Sequence, residues 1–322
     1  MTTLITGAGL VGTSFAQAAI KRGEDVVFYD PQPRDEFIRI KLGKVPYKIV
    51  AKDVRDLPGL VQAIRDHKVA TVVHSAGLIG KRVEESLYTG VAVNVLGTTN
   101  VAEAVRLTGV KRLVHVSTFG VYDWRRPATT AAVDEFFPRG PGGAYGSFKV
   151  AKETILEAYA NVCGFELLMV RPANVFGLGH FWSGSGGGEK MQALVEGGLR
   201  GETAVILRSQ TMENEYIYGK DLGVLIDRAA TVPMPKQTVF NAGVGRLTQF
   251  DDLIATVTKV IPGLKFQIKD DGPPRSRAKP LDMSAAREHL GWTPQFSLED
   301  AIRDYVADIR AVGLDDLGRV RR

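Results

Sequence analysis

Residues 4–12, LITGAGLVG, decide how the chain begins to fold. A short apolar run that predicts a β-strand passes into the spacing Gly-x-Gly-x-x-Gly and then into an alanine-rich segment of helical character. In such a strand–turn–helix, Gly7 permits the tight turn, Gly9 lets the backbone approach a pyrophosphate, and Gly12 lets the helix pack closely on the strand. Free N–H groups at the start of a helix bind phosphate. The stretch therefore predicts a dinucleotide-binding turn.

A carboxylate closes the next predicted strand, which runs into Asp30, 18 residues after Gly12. An acidic side chain at this place accepts hydrogen bonds from the ribose hydroxyls of adenosine and repels a 2′-phosphate. Arg34 could serve a 2′-phosphate, although Pro31 and Pro33 constrain the path to it. The sequence therefore favours NAD over NADP.

The first half of the chain alternates short β-branched runs with segments of helical period. The runs are residues 4–5, 25–29, 47–50, 71–74, 112–116 and 166–170. This alternation predicts the α/β class, with a Rossmann-type doubly wound parallel sheet. After Arg171 and Pro172 the rhythm breaks into short strands mixed with helices at residues 250–260 and 298–309. We expect an NAD-binding domain over residues 1–171 and a smaller α/β substrate lobe formed mainly by residues 172–322, with some segments returning to the first domain.

Composition narrows the class of protein further. The 322 residues are 44% hydrophobic and 24% charged, which is typical of a globular enzyme-sized chain. No run approaches the roughly 20 apolar residues that span a bilayer. The first predicted strand starts beside Met1, which leaves no room for a signal peptide, and the single Cys163 suits a reducing compartment. We therefore expect a cytoplasmic protein without membrane contact.

Charge and histidine spacing exclude two further classes of partner. The net charge of +5 comes from dispersed basic residues, and no helix carries a basic stripe interleaved with aromatic residues. The five histidines show no paired spacing of the kind that metal sites use. We therefore expect neither nucleic-acid binding nor a metal ion.

Three segments add chemistry to the dinucleotide fold. Ser117 and Thr118 end a predicted strand, Asn94 lies in the segment VNVLGTTN, and Tyr145 and Lys149 stand four residues apart on one helical face. Lowering the pKa of a phenol from about 10 to about 7 requires about 4 kcal/mol, which a lysine ammonium and an oxidised nicotinamide could supply. Tyr145 would then accept the substrate hydroxyl proton, Thr118 would hold the substrate oxygen, and Lys149 would also hold the nicotinamide ribose. We count Asn94 with this catalytic set, and Asn94 and Ser117 with the cofactor site.

These motifs together resemble the extended short-chain dehydrogenases, the NAD-dependent epimerase/dehydratase family, over essentially the whole chain. The supporting segments are residues 72–77 (VVHSAG), 94–99 (NVLGTT), 116–122 (VSTFGVY), 145–149 (YGSFK), 171–177 (RPANVFG) and 290–294 (LGWTP).

The resemblance implies a role for particular residues of this chain. It places Gly7, Gly9, Leu10 and Val11 at the pyrophosphate and Asp30 at the adenosine ribose. It places Asp53 and Val54 beside the adenine, and Val175 near the nicotinamide. It makes Ser75, Ala76 and Gly77 line the dinucleotide, and it lets Asn174 reach the substrate.

The chain also departs from the family pattern. Its glycine turn is one residue shorter than usual, and Thr118 is followed by Phe119 and Gly120 where 4,6-dehydratases have an Asp-Glu pair, which argues against dehydration. Leu78 and Ile79 stand just after the Ala-Gly of the fourth strand, where nucleotide-sugar epimerases commonly carry a cofactor-holding lysine. Residues 213–218, ENEYIY, replace their diphosphate-binding Arg-Asp, and acids there would repel a diphosphate. Arg275 is the candidate that could compensate, together with Arg277, although both could equally bind a carboxylate or lie in solvent.

These departures favour one function and leave two alternatives. The favoured one is an NAD-dependent dehydrogenase acting on a secondary alcohol of a sugar, sugar acid or similar polyol. The first alternative is a sugar or nucleotide-sugar epimerase that retains its cofactor, and the second is a non-catalytic NAD sensor. We further expect a homodimer.

A glycine- and serine-rich run at residues 183–188 follows Asn174 closely. Ordering six such residues costs conformational entropy. The longer segment from Gly177 to Gly188 is either a plain surface loop or a lid that closes Trp182 or His180 over the substrate.

Overall fold

Seven parallel strands form the central sheet of the computed structural model, which describes residues 1–126, 131–180, 186–274 and 279–314. In chain order its first six strands are β1 (Thr2–Thr6), β2 (Asp25–Tyr29), β3 (Lys48–Val50), β4 (Val69–His74), β5 (Arg112–Val116) and β6 (Glu166–Pro172). The spatial order is β3-β2-β1-β4-β5-β6, and a later strand, β10 (Val239–Ala242), extends the sheet beyond β6. The predicted doubly wound parallel sheet is confirmed.

Helices cover both faces of this sheet, as parallel strands require. They are α1 (Leu10–Lys21), α2 (Asp35–Leu42), α3 (Leu57–Asp66), α4 (Lys81–Glu85), α5 (Leu87–Gly90), α6 (Gly97–Thr108), α7 (Ala144–Cys163) and α9 (Gly219–Thr231). Between α5 and α6 the chain forms a π-helix at Val91–Leu96. The inner strands are buried, β5 along its whole length and β1 after its first residue, whereas the edge strand β3 is partly exposed.

The remaining elements build a smaller region beside the sheet. It contains β7 (Asn174–Phe176) paired with β9 (Tyr216–Tyr218), and β8 (Thr203–Leu207) paired with β11 (Lys265–Lys269). Its helices are α8 (Gly186–Arg200), α10 (Phe250–Val260), α11 (Ser284–Leu290) and α12 (Leu298–Val312). Because β10 belongs to the central sheet, part of the chain after Pro172 lies in the larger unit. The domain boundary at residue 171 itself stays a prediction.

Strand order fixes where a ligand can bind. The strand order reverses between β1 and β4. The chain leaves β1 toward α1 and leaves β4 toward the π-helix, on opposite faces of the sheet. In open α/β sheets the crevice at such a switch point, at the carboxyl ends of the strands, is the ligand site. Thr6, His74 and Val116 end their strands at this edge.

Two further features of the described residues, 1–126, 131–180, 186–274 and 279–314, concern membranes and metals. Within those ranges, none of the helices is long and apolar enough to cross a bilayer. The same part of the chain contains no group of three or more His, Cys, Asp or Glu side chains placed to hold a metal ion.

Candidate active site

The glycine turn between β1 and α1 has the geometry that a dinucleotide needs. Gly7 has φ +87°, which side chains rarely adopt, and a Cβ on Gly12 would lie 2.1 Å from the Gly7 carbonyl oxygen. A Cβ on Gly9 would meet no atom within 4 Å, so open space faces the start of α1. The turn therefore accommodates close approach of a pyrophosphate to the backbone, and Leu10 and Val11 open the helix beside it.

Asp30 follows β2 and is held beside this turn. Its Oδ2 accepts the Ala8 N–H and its Oδ1 accepts the Gln32 N–H, both at 2.9 Å. Arg34 interacts electrostatically with Asp30 and with Arg82. The carboxylate is thus fixed beside the glycine turn with Arg34 in its neighbourhood, and its contact with an adenosine ribose stays a prediction.

The segment expected beside the adenine follows β3. The Asp53 carboxylate forms an ion pair with Arg55 at 2.9 Å, and this hydrogen bonding lowers the pKa of Asp53. Val54 is buried, and a Cβ on Gly97 would lie 2.6 Å from its Cγ2. The backbone of Val54 is tied to α6 through its carbonyl, which accepts the Asn100 Nδ2–H at 3.1 Å. Val54 therefore anchors the loop, and Asp53 lies at its partly exposed side.

The exit from β4 is held from several directions. Ser75 Oγ donates to the Thr6 carbonyl at 2.8 Å, which ties the segment to β1. A Cβ on Gly77 would lie 2.4 Å from Asn94 Oδ1, so only glycine fits above that amide. Ala76 lies between the two, and its carbonyl accepts a hydrogen bond from Lys152 at 2.8 Å.

Asn94 occupies the π-helix and faces this same exit. Its Oδ1 accepts the Leu78 N–H at 3.0 Å, and its Nδ2 donates to the Leu78 carbonyl at 3.2 Å. π-Helical turns occur frequently at functional sites, because the extra residue redirects a side chain. Here the side chain of Asn94 binds the backbone of Leu78, so in the structure it positions the segment that follows β4.

Thr118, Tyr145 and Lys149 come together at the carboxyl end of β5. Thr118 lies close enough to Tyr145 to lower the pKa of the phenol, and Thr118 Oγ1 accepts the Gly120 N–H at 3.1 Å. Lys149 Nζ lies 5.9 Å from the centre of the Tyr145 ring and donates to the Val116 carbonyl at 2.6 Å. The convergence predicted from the sequence is therefore present in the fold.

The charge state of these groups differs from the expectation. Burial raises the pKa of Tyr145 to about 12, against which the Thr118 hydrogen bond acts. Burial also lowers the pKa of Lys149 to about 8, while the Glu153 carboxylate opposes this shift. The protein by itself therefore does not bring the phenol toward neutral pH. The expected activation must draw on the charge of the dinucleotide as well as on Lys149.

A buried ion pair that the sequence analysis missed lies beneath this trio. Glu153 is completely buried, and its carboxylate accepts hydrogen bonds from Arg171 Nε at 2.9 Å and Nη2 at 2.7 Å. Ser117 Oγ donates to Glu153 Oε1 at 2.5 Å, so its hydroxyl is directed away from the cofactor edge. Glu153 lies eight residues after Tyr145 on α7 and four after Lys149, and this helical spacing was the signal that could have identified it.

The expected substrate residues begin with Asn174 on β7. Its Nδ2 donates to Asn214 Oδ1 at 3.2 Å and to the Glu215 carbonyl at 2.9 Å, and the residue is buried. Val175 follows; it is half-buried and packs against the hydrophobic core that contains Ile5 and Ala8. Arg275 and Arg277 lie outside the described residues.

Glu215, one of the two acids in segment 213–218, binds backbone groups of the fold. The Glu215 Oε1 accepts the N–H groups of Val244 and Gly245 at 2.7 and 2.8 Å, and its Oε2 accepts that of Leu281 at 2.8 Å. This carboxylate is buried in backbone contacts, so it is directed at the fold and not at a substrate. The predicted repulsion of a diphosphate by the acids of this segment therefore does not apply to Glu215, and for Glu213 it stays a prediction.

The glycine-rich run is partly helical. Residues 181–185, and with them Trp182, lie outside the described residues, whereas Gly186–Arg200 is helix α8. Cβ atoms on Gly187 and Gly188 would lie 2.6 Å from Asn174 and 2.3 Å from His180. Gly187 and Gly188 therefore allow the start of α8 to pack closely against Asn174 and His180.

Comparison with known proteins matches these features. A model of the NAD dependent epimerase/dehydratase family matches residues 3–243. The chain is 30% identical to a UDP-glucose 4-epimerase of Mycolicibacterium smegmatis, over 96% of this chain and 99% of that protein. It is 26% identical to a dTDP-6-deoxy-L-talose 4-dehydrogenase of Kitasatospora kifunensis, over 94% of this chain and 93% of that protein. The crystal structure of the Thermus thermophilus UDP-glucose 4-epimerase complex with NAD superposes with a TM-score of 0.85 at 24% identity, covering 97% of this chain and all of that one, which shows the same fold.

Proposed function

We propose, from the premise that this chain belongs to the NAD-dependent epimerase/dehydratase family, that it oxidises a secondary alcohol of a sugar, sugar acid or similar polyol. Family membership makes NAD its cofactor and makes the chain an enzyme. The observation that carries the finer proposal is the meeting of Tyr145, Thr118 and Lys149 at the edge of the sheet, next to a glycine turn that fits a pyrophosphate.

Each of these side chains has one task in the proposed step. Thr118 Oγ1 donates a hydrogen bond to the substrate oxygen and orients it toward Tyr145. Tyr145 Oη accepts the hydroxyl proton as the C–H bond breaks, and Lys149 stabilises the phenolate and holds the nicotinamide ribose. When bound, the oxidised nicotinamide supplies the hydride acceptor and a positive charge. Gly7, Gly9 and Gly12 hold the pyrophosphate, and Asp30 accepts the ribose hydroxyls.

The dehydrogenase is favoured by two positions that lack a cation. Asn214 is buried and hydrogen-bonded to Asn174, and Ile79 is partly exposed beyond the β4 exit. A neutral amide and an aliphatic side chain give neither a diphosphate nor a retained dinucleotide the charge-assisted contacts that bind them tightly. Release of reduced cofactor and a substrate without a diphosphate follow from this.

The second candidate is the epimerase, which the relatives favour. The UDP-glucose 4-epimerase of M. smegmatis matches almost the full chain, and the loss of repulsion from Glu215 removes one argument against a nucleotide sugar. An epimerase uses the same Tyr145 step, keeps its reduced cofactor and returns the hydride to the other face of the ketone.

One experiment separates the two. The purified protein is incubated with excess NAD and aldonic acids, uronic acids, free sugars or nucleotide sugars, while absorbance reports NADH. The dehydrogenase accumulates NADH and a ketone or lactone product over many turnovers. Turnover of a nucleotide sugar into its epimer without accumulated NADH would instead establish the epimerase, and hydride transfer to none of these substrates would contradict the proposal.

Cofactor preference gives a test of Asp30. We expect wild-type protein to bind NAD more tightly than NADP. Asp30→Ser should lower the ratio of the NADP to the NAD dissociation constant by at least about tenfold, or about 1.4 kcal/mol. The serine keeps an acceptor for the Ala8 N–H but removes the charge, and Arg34 and Arg82 then face the 2′-phosphate without a competing carboxylate. Titration calorimetry with both dinucleotides measures the ratio. An unchanged ratio, or tighter NADP binding by the wild type, would contradict the role of Asp30.

The proposed homodimer has a candidate surface on α5 and the π-helix. Leu87, Tyr88, Val91 and Leu96 form an apolar patch there, with exposed fractions of 56, 87, 46 and 51%. Contiguous exposed apolar side chains favour association, and a second copy presents the same patch about a two-fold axis.

Light scattering after gel filtration tests this surface. We expect a mass of about twice 35.0 kDa for the wild type and a shift toward monomer for Tyr88→Glu, because a carboxylate cannot be buried unpaired. Phe136→Glu is the matched control, since Phe136 is 81% exposed outside the patch. A Tyr88→Glu protein that stays dimeric would show that the copies meet elsewhere.

A further inference from the structure

Lys152 is a buried amine for which the proposed reaction has no task. It lies on α7 seven residues after Tyr145 and three after Lys149, on the face that packs against the ends of β4 and β5. Its side chain is fully inaccessible, and Nζ donates to the Ala76 carbonyl at 2.8 Å. A lysine is almost never buried completely without an ionic partner.

Ala76 belongs to the β4 exit, which two side chains hold from beneath. Asn94 binds both the N–H and the carbonyl of Leu78, while Lys152 binds the carbonyl of Ala76. A Cβ on Gly77 would lie 3.3 Å from Lys152 Nζ and 2.4 Å from Asn94 Oδ1. The underside of the exit is therefore filled by these two groups, and the other side of its backbone is left for the dinucleotide.

The surroundings of Lys152 supply no counter-charge. From α7 it faces Lys149, from β4 His74, and from β5 His115, and each of these interacts with it electrostatically. Glu153 is its chain neighbour, but that carboxylate is bound by Arg171 and Ser117. Among the described residues, no acidic side chain forms an ion pair with Lys152.

His74 and His115 do not supply a counter-charge to Lys152 either. Burial lowers the pKa of both His74 and His115 well below the usual value, so both stay neutral. His74 is held between the hydroxyls of Thr6 and Thr98 at 2.7 and 2.9 Å. Burial, with a smaller contribution from the Lys149 charge, likewise holds the pKa of Lys152 well below that of an ordinary lysine.

We propose that Lys152 is a positioning residue of the dinucleotide site: it fixes the Ala76–Gly77 backbone, and its protonation sets the preference of the site for reduced over oxidised dinucleotide. This rests on the proposed function in one respect, that the β4 exit lines the dinucleotide. A proton on Lys152 places a positive charge behind that backbone. The charge repels an oxidised nicotinamide and leaves the neutral reduced ring unaffected. Acidification therefore favours the reduced dinucleotide.

The test measures cofactor binding and needs no substrate. Dissociation constants of NAD and NADH are determined by calorimetry and by NADH fluorescence from about pH 6 to about pH 9, because burial shifts the titration of Lys152 toward neutral pH. We expect the ratio of the NAD constant to the NADH constant to rise about tenfold as the pH falls, the size of a nearby unit-charge effect in a partly screened site. Lys149 contributes a change of the same sign, because it is also protonated on acidification.

Lys152→Met separates the two lysines. We expect this variant to lose most of the pH dependence of the ratio and to bind both dinucleotides about three- to tenfold more weakly, since the Ala76 carbonyl loses its donor. Lys152→Gln keeps an uncharged donor, so it should recover part of the affinity but none of the pH dependence that Lys152 adds to that of Lys149. Lys41→Met is the matched control. Lys41 is also buried, with a pKa that burial lowers to about 8, but its charged neighbours are Asp304, Asp308 and Lys220.

The outcomes distinguish this inference from the proposed function. A wild-type ratio that is flat with pH, or a Lys152→Met profile that matches wild type and Lys41→Met, would overturn the role of Lys152 alone. A wild-type protein that binds neither dinucleotide would overturn the proposed function. The flat-ratio criterion needs only wild-type protein, so the test stands even where Lys152→Met does not fold.

Discussion

Tyr145→Phe is expected to lower the rate of hydride transfer by about 10²–10⁴-fold, the usual contribution of a positioned acid–base group. The affinity for NAD should stay close to that of the wild type, because the substitution removes one hydroxyl, and Gly7, Gly12 and Asp30 are untouched. Thr118, whose hydroxyl lowers the pKa of the phenol, is a neutral group, so removing the Tyr145 hydroxyl leaves no charge without a partner. Single-turnover absorbance measures the rate, and calorimetry measures NAD binding.

A second tyrosine on the same helix provides the control. Tyr159 is partly buried near Glu103 and Arg106, away from the strand ends, and Tyr159→Phe should leave the rate unchanged. Retention of near-wild-type turnover by Tyr145→Phe between about pH 7 and about pH 9 would remove Tyr145 from the chemistry. Loss of NAD binding together with turnover would show instead that the phenol is structural.

The pH profile adds a directional test. Burial raises the pKa of Tyr145 to about 12 in the protein by itself, so the phenolate becomes more available as pH rises. The positive charge on Lys149, which stabilises the phenolate, is lost as the pH rises, because burial lowers the pKa of Lys149 to about 8. The rate of oxidation should therefore rise with pH and then level off, and Tyr145→Phe should lose the rising limb.

The parts of the fold that the sequence predicted are those whose signal is local. Six β-branched runs and a glycine turn lie within a few residues of each other along the chain, and each run became a strand of the central sheet. The proximity of Thr118 and Tyr145 could be predicted from the sequence because the carboxyl ends of parallel strands share one edge of the sheet. Their roles stay predictions, but their proximity needed only the strand order and the helical spacing.

What escaped prediction depends on contacts between distant segments. Lys152 and Glu153 have the composition of a solvent-facing helix surface, and nothing local says that Ala76 and Arg171 receive them. Glu215 was misinterpreted for the same reason, since its backbone partners at Val244 and Leu281 come from later loops. A charged side chain is assigned to the surface by pattern, and only tertiary structure reveals the partner that allows its burial.

The pair of Glu153 and Arg171 leads to the largest expected effect on stability. Arg171 is 2% exposed and Glu153 is fully buried, and they share two hydrogen bonds of 2.9 and 2.7 Å. Arg171 also donates to the Tyr122 hydroxyl at 3.2 Å and to the Glu135 carbonyl at 2.9 Å. Burial lowers the pKa of Arg171, but the Glu153 carboxylate, with a smaller contribution from Tyr122, raises it above that of an ordinary arginine. The pair joins α7 to β6 directly beneath the strand end that presents Thr118.

Arg171→Met should therefore lower the free energy of unfolding by about 3–5 kcal/mol, because it leaves the Glu153 carboxylate buried with Ser117 and the half-exposed Arg139 as its remaining partners. Glu153→Leu should cost a similar amount by stranding the guanidinium. The double variant should be much less destabilised than the sum of the two, since an apolar pair of similar volume needs no desolvation of charge. Urea denaturation followed by tryptophan fluorescence measures all three, with Arg106→Met as control because its ion pair with Glu103 lies at the surface. Additive losses in the double variant would mean that the two side chains stabilise the fold independently, and that β5 is fixed beneath Thr118 by packing and not by this ion pair.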